Sequence, residues 1–73
     1  MARGWVHTVH REGAWWNEVE GGGAISRHPT KAQAVEAGRE AAQARRTEHV
    51  IHNLDGTIAG RDSYAGDPFP PRG

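Results

Sequence analysis

The sequence predicts an α+β fold in which one helix packs on a short antiparallel sheet of four to five strands. Three observations predict it: short runs of aromatic and β-branched residues between turn signals, one alanine-rich segment with a capping box at its start, and an Asp-Gly turn after that segment. The expected order is β-β-β-α-β-β, followed by an extended proline-rich tail. We expect one domain over residues 1–64 and a Pro/Gly-rich tail over residues 65–73.

The first half of the chain predicts three strands. Residues 5–9 and residues 15–20 are rich in aromatic and β-branched side chains, and the Glu12-Gly13 pair between them is typical of a tight turn. Three glycines at residues 21–23 permit a second reversal before a short strand over residues 24–27.

The helix has the clearest local signal in the sequence. Thr30, followed three residues later by Gln33, fits a capping box, and residues 31–45 are rich in good helix formers. Small side chains dominate the apolar stripe of this helix and predict an axis close to the sheet. The stripe consists of Ala34, Val35, Gly38, Ala41 and Ala42. We expect Gly38 to lie against a bulky side chain, most readily a tryptophan ring.

A hairpin is predicted after the helix. Residues 48–52 contain adjacent apolar residues, which favours a strand covered on both faces. Residues 53–56 read Asn-Leu-Asp-Gly, and the Asp-Gly pair favours a type I′ turn before the returning strand over residues 57–61.

Apolar side chains are expected on both faces of the sheet, because side chains alternate along a strand. On the first strand, Trp5 and Val9 point to the face opposite to that of Val6. On the second, Trp15 and Val19 point away from Trp16, and on the strand after the helix Val50 points away from Ile51. One helix can cover only one face, and the pattern leaves open which set it covers. The other set would form an apolar patch of the kind that marks interaction sites.

Composition excludes several classes of protein. The chain of 73 residues has no cysteine, so disulfides cannot support its small core, and self-association or a metal remain as supports. No apolar run approaches the ~20 residues that a membrane span needs. No apolar stretch follows Arg3, so no secretory signal is expected and the predicted location is the cytoplasm.

Nearly the whole chain resembles a bacterial family of uncharacterised proteins, domain-of-unknown-function family 2188. The residues that carry the resemblance are Trp5-Val6, Arg11-Glu12-Gly13 with Trp15, Glu20-Gly21, Thr30-Lys31 with Ala34 and Ala37-Gly38-Arg39, Val50-Ile51-His52, Asp55-Gly56 with Ile58, Ser63-Tyr64, and Asp67-Pro68-Phe69-Pro70-Pro71. The chain departs from the pattern at Trp16-Asn17, where a small residue and then a valine are expected, at His49, where leucine is expected, and at Ala65-Gly66, where Gly-Asn is expected. The resemblance supports the predicted α+β fold and indicates a bacterial or phage protein. It implies no activity.

Metal binding and catalysis are not expected. His7 and His10 are three apart, as are His49 and His52, and residues three apart on a strand point to opposite faces. No serine lies in an activating context such as a Gly-x-Ser-x-Gly elbow. Glu18 and Glu20 share a strand face and are interpreted as solvated carboxylates. We therefore expect no enzyme, no cofactor, no integral metal and no small-molecule substrate.

The leading functional hypothesis is a small non-catalytic interaction module that self-associates or binds a protein partner. The candidate interface residues are Trp5, Val9, Trp16, Val50, Tyr64 and Phe69. In a competing account, Tyr64 and Phe69 of the tail region fold over this face and leave a monomer, and residues 68–72 could also serve as a polyproline ligand.

The alternative hypothesis is nucleic-acid binding through the three-stranded N-terminal sheet. The order of elements is similar to the small arm-binding domains of phage integrases, which insert a sheet into the major groove. Zero net charge weakens this hypothesis. The charge of the first two strands and their turn also weakens it, because they carry one arginine, Arg11, and three glutamates, Glu12, Glu18 and Glu20.

Overall fold

The computed structural model describes residues 4–65. The strands are β1 (Val6–Arg11), β2 (Ala14–Val19), β3 (Gly23–His28), β4 (Glu48–His52) and β5 (Ile58–Ser63), and the helix is α1 (Lys31–Arg45). The α+β class, the element order and the bounds of the helix are confirmed. The expected tail lies almost wholly outside the described residues.

The five strands form a mixed sheet in the order β3-β2-β1-β4-β5. The β1–β2, β2–β3 and β4–β5 pairs are antiparallel, whereas β1 and β4 are parallel. The expectation of a purely antiparallel sheet is therefore wrong at its centre. Two reversals make β3 run in the direction of β1, and α1 then carries the chain back across the sheet. The strand after such a crossover starts in the same direction again, so β4 pairs with β1 in parallel.

The turn between β1 and β2 and the turn between β4 and β5 lie where the sequence predicts them, but the second differs from the expected geometry. Glu12 and Gly13 between β1 and β2 both have positive φ, at 53° and 78°, which is the requirement of a type I′ turn. In the loop between β4 and β5 only Gly56 has positive φ, at 91°. The Asp55-Gly56 pair therefore does not form the expected type I′ turn. The Asn53 N–H instead donates to the Thr57 carbonyl at 2.6 Å and closes a longer loop.

Both ends of α1 are capped. The Thr30 hydroxyl oxygen accepts a hydrogen bond from the Gln33 N–H at 3.2 Å, as the capping box predicts. At the other end Arg46 takes a left-handed conformation with φ 54°. The Thr47 N–H then donates to the Ala42 carbonyl at 3.0 Å. These caps fix where the chain leaves the helix and enters β4.

The helix covers one face of the sheet, which we call the helix face. Its buried residues Ala34, Gly38 and Ala42 lie over it, and the Asn17 side chain reaches the Ala34 carbonyl. By register and alternation the helix face carries Val6, Thr8, His10, Trp15, Asn17, Val19, His49 and Ile51. The opposite side, the outer face, carries Trp5, His7, Val9, Arg11, Trp16, Glu18, Val50 and His52.

The core is small and unusually polar. Its buried apolar residues are Val6, Ala14, Trp15, Ala34, Ala42 and Val50. Thr8, Asn17, Thr47 and His49 are also buried, and His49 is the largest of the fully buried side chains. No helix among residues 4–65 is long and apolar enough to cross a membrane.

Candidate functional site

Two tryptophans lie half-buried on the outer face beneath arginine side chains. The Arg61 guanidinium carbon is 5.1 Å from the centre of the Trp5 ring. Those of Arg11 and Arg27 are 5.2 and 5.6 Å from the centre of the Trp16 ring. The Trp16 indole N–H donates to the Arg11 carbonyl at 2.9 Å, so the ring is held in place. The outer face therefore presents two aromatic rings that are partly covered by planar cations.

Acidic side chains pair with two of the three arginines of the outer face. Arg11 forms an ion pair with Glu18. Arg61 Nε lies 3.3 Å from Glu48 Oε1, and the Ser63 hydroxyl donates to the other Glu48 oxygen at 2.7 Å. Glu18, which the sequence predicts to be a solvated carboxylate, is thus engaged by Arg11. The resulting surface is close to neutral.

A pair of histidines meets across β1 and β4 on the outer face. His7 Nδ1 lies 3.0 Å from His52 Nε2, and the ring centres are 5.3 Å apart. His7 Nε2 lies 2.7 Å from a carboxylate oxygen of Glu20. Because a carboxylate only accepts, neutral His7 carries its proton on Nε2, and its Nδ1 accepts from the Nε2–H of His52. The three side chains form one hydrogen-bonded chain from Glu20 to His52.

The expectation about histidine pairs within one strand is confirmed. His7 lies on the outer face and His10 on the helix face, and His52 and His49 are divided in the same way. The contact between His7 and His52 was missed because it depends on the parallel pairing of β1 with β4. The register places His7 opposite Val50, and His52 is two residues further along the same face. The signal that could have found it is the helix itself, because a strand–helix–strand crossover predicts parallel strands.

A second polar cluster is buried between the helix and the sheet. The Asn17 amide N–H₂ donates to the Ala34 carbonyl at 2.9 Å and to Ser26 Oγ at 3.1 Å. The Thr8 hydroxyl donates to Asn17 Oδ1 at 2.6 Å. Since that donation uses the only hydroxyl proton, the contact of 2.7 Å between Thr8 Oγ1 and His49 Nε2 requires His49 to donate. Asn17 and His49, which stand where the family resemblance implies valine and leucine, are therefore joined through Thr8.

The assigned tautomer leaves one atom of His49 without a partner. Nδ1 then carries a lone pair, and it is buried with no hydrogen-bond partner among the described residues. Burial lowers the pKa of His49 below its ordinary value of 6.5, because desolvation disfavours the imidazolium. Asp62 opposes this shift, while Arg39 and His7 add to it. Burial and the hydrogen bond to Thr8 therefore favour the neutral imidazole of His49.

Gly38 lies directly over this cluster. A Cβ atom at Gly38 would be 2.5 Å from Asn17 Oδ1, 2.5 Å from His49 Nε2 and 2.8 Å from Thr8 Oγ1. The close approach of helix and sheet at Gly38 is confirmed, but the expected tryptophan partner is wrong. Trp15 lies instead beside His10, at 5.0 Å between ring centres, with Lys31 Nζ 5.6 Å from its ring centre.

An open groove of about 430 Å³ lies where the start of α1 meets the loop after β4. Trp15, Lys31, Asn53, Leu54 and Asp55 line it. Leu54 is 68% exposed, and Lys31 Nζ lies 3.4 Å from Asn53 Oδ1. This groove could not be predicted from the sequence, because its walls come from three segments that are separate along the chain.

The structure places four of the six predicted interface residues on one surface. Trp5, Val9, Trp16 and Val50 all belong to the outer face, and Val9 is the register partner of Trp16. Tyr64 is half-buried just after β5, where its N–H donates to the Thr47 carbonyl at 3.1 Å. Phe69 lies outside the described residues.

The sheet also places the candidate groups for chemistry. Glu18 and Glu20 are engaged by Arg11 and His7 respectively. Ser26 accepts from Asn17 and lies 3.0 Å from His28 Nε2. Within residues 4–65 no three or more His, Asp or Glu side chains converge on a point where they could hold a metal ion.

Comparison with known proteins places the chain in a family without assigning it an activity. No curated protein and no solved structure matches it. One family model does match, over residues 6–64, and it is described as an uncharacterised protein conserved in bacteria. The match spans every strand and the helix of the fold, so the chain belongs to domain-of-unknown-function family 2188.

Proposed function

We propose that this protein is a non-catalytic interaction module of the bacterial cytoplasm whose outer face binds a second copy of the same chain. One observation carries the proposal: Trp5, Val9 and Trp16 lie half-buried on a sheet face that no other element among residues 4–65 covers. Half-buried aromatic side chains beneath arginines are typical of interface anchors, since Trp and Arg are enriched at such sites.

The charge of the outer face favours a second copy as the partner. Its arginines are Arg11, Arg27 and Arg61, and its glutamates are Glu18, Glu20 and Glu48. A two-fold interface apposes a surface with itself, so that surface has to be self-complementary. A face with equal numbers of both signs meets this requirement, because Arg11 and Arg61 can each exchange their own glutamate for that of the partner.

The small core gives self-association an energetic role. Among the buried apolar residues of the described chain only Trp15 is large, and Ala14, Ala34 and Ala42 contribute little area. Full burial of a large apolar side chain contributes roughly 1.5–3 kcal/mol. Completing the burial of Trp5 and Trp16 in both copies would therefore supply stability that a chain of this length otherwise lacks.

Replacing Trp16 by glutamate is expected to abolish the dimer while leaving the fold intact. The substitution places a carboxylate beside Val9 on the outer face, where association would have to desolvate it. Light scattering on a size-exclusion column across a concentration series should give a dimer mass for the unmodified chain and a monomer mass for Trp16→Glu. Far-UV circular dichroism should show that α1 is retained.

The matched control is Leu54→Glu. Leu54 is the most exposed large hydrophobic residue within residues 4–65, and it lies in the loop after β4 rather than on the outer face. This variant should remain a dimer. A monomer mass for the unmodified chain at high micromolar concentration would refute self-association.

Nucleic-acid binding is the second candidate, and the arginines stacked on Trp5 and Trp16 are the observation that favours it. Aromatic platforms with cations bind single strands through base stacking and backbone contacts. The paired glutamates oppose this use, because the affinity of such proteins depends on a basic surface. We expect only weak, sequence-independent shifts with DNA or RNA in a gel at ~50 mM salt. Tight, sequence-dependent shifts would favour this function over the first.

A further inference from the structure

We propose that His7 and His52 form a binding site for a late first-row divalent metal ion, with Cu²⁺ bound more tightly than Zn²⁺. The pair lies on the outer face at the centre of the sheet, where β1 and β4 run in parallel. Imidazole nitrogens suit Cu²⁺, Ni²⁺ and Zn²⁺, and among these Cu²⁺ binds a given nitrogen site most tightly.

The separation of the two nitrogens fits two ligands of one ion. His7 Nδ1 and His52 Nε2 are 3.0 Å apart. With metal–nitrogen bonds of ~2.0–2.1 Å, ligand nitrogens lie ~2.9 Å apart at a right angle and ~3.4 Å apart at a tetrahedral angle. A hydrogen bond between the two nitrogens sets the observed distance, and only a small change in their separation would let both bind one ion.

Glu20 prepares His7 as a ligand. Its carboxylate accepts the Nε2–H of His7 at 2.7 Å, which leaves the lone pair on Nδ1, the atom that faces His52. A carboxylate bonded to the far nitrogen of a metal-binding histidine fixes its tautomer and raises its basicity. His52 becomes the second ligand when its proton moves from Nε2 to Nδ1, a change of tautomer that leaves the ring neutral.

The site supplies two protein ligands, and water completes the coordination. No third His, Asp or Glu of the described chain converges on the pair. The His7 side chain is 24% exposed in a single copy, so an ion can reach the pair before two copies associate.

Titration of the tag-free protein with CuCl₂ at pH 7.5 in a non-coordinating buffer tests the proposal, with binding followed by calorimetry and by electron paramagnetic resonance. The unmodified chain should bind one equivalent and show nitrogen hyperfine coupling from two imidazoles. His7→Ala and His52→Ala should each weaken binding at least ~10-fold and leave a single imidazole in the spectrum. Glu20→Gln should weaken it ~10-fold with both imidazoles retained.

His10→Ala is the matched control, because His10 lies on β1 but on the helix face. It should bind Cu²⁺ within twofold of the unmodified chain. His52→Gln provides a second, larger replacement in case alanine disturbs the fold, and circular dichroism checks each variant. Unchanged Cu²⁺ affinity in folded His52→Gln, or an equal loss in His10→Ala, would overturn the proposal.

Discussion

Replacing Gly38 by alanine is expected to destabilise the domain by about 2 kcal/mol, although alanine is the better helix former by about 1 kcal/mol. The added Cβ would come within 2.5 Å of Asn17 Oδ1 and His49 Nε2. Neither atom can move freely, since both belong to the buried hydrogen-bonded cluster. The helix has to rise from the sheet or the cluster has to break, and either change should lower Tm by roughly 8–16 °C.

A strand glycine provides the control for this substitution. Gly60 on β5 has nothing within 4 Å of its would-be Cβ and an ordinary φ, so Gly60→Ala should change stability by no more than about 0.5 kcal/mol. Proline at Gly38 would test only the helix, because it breaks any helix interior. Alanine tests the close approach itself. If Gly38→Ala had the same Tm as the unmodified chain, then α1 would lie further from Asn17 and His49 than the 2.5 Å contacts of the added Cβ imply.

Features encoded by contiguous residues could be predicted from the sequence. The start of α1 depends on Thr30 and Gln33, which are three residues apart, and its small-residue stripe follows the helical period. Alternation also separated Trp5 from Val6 and Trp15 from Trp16 correctly, because a strand has a period of two whatever its neighbours are. Each of these is a local property of backbone geometry.

Features that depend on strand neighbours could not be derived in the same way. Asn17 and His49 are thirty-two residues apart, and they meet only because β1 lies between β2 and β4. Thr8 on β1 then bridges them. Alternation assigns a side chain to a face but does not say which strand lies beside it. The same gap hid the contact between His7 and His52. Asn17 and His49 both replace apolar residues that the family resemblance implies. The sheet order shows that these two polar replacements belong to one hydrogen-bonded cluster.

Acidification is expected to destabilise the domain through His49. The pKa of this imidazole is lowered in the folded protein, with burial as the largest cause. Between that lowered pKa and the unfolded value near 6.5 the unfolded chain binds more protons, so the free energy of unfolding rises with pH. Stability should therefore be complete above pH 6.5 and should fall as the pH drops below it. Thermal melts at half-unit steps from pH 8 to pH 5 would measure this slope.

Replacing His49 by leucine should remove much of this slope. Leucine takes away the buried titrating group and the unpartnered Nδ1 together, while Thr8 keeps its donation to Asn17 Oδ1. At pH 7.5 the variant should therefore be about as stable as the unmodified chain, because no buried donor loses its acceptor. His10→Gln, a change on the same face of the sheet outside the cluster, should keep the full slope. His49→Leu and the unmodified chain could instead lose stability in parallel between pH 6.5 and pH 5. In that case His49 is not the group responsible for the slope. The neutral tautomer assigned to His49 from the Thr8 and Asn17 hydrogen bonds would then have no effect on the pH dependence of stability.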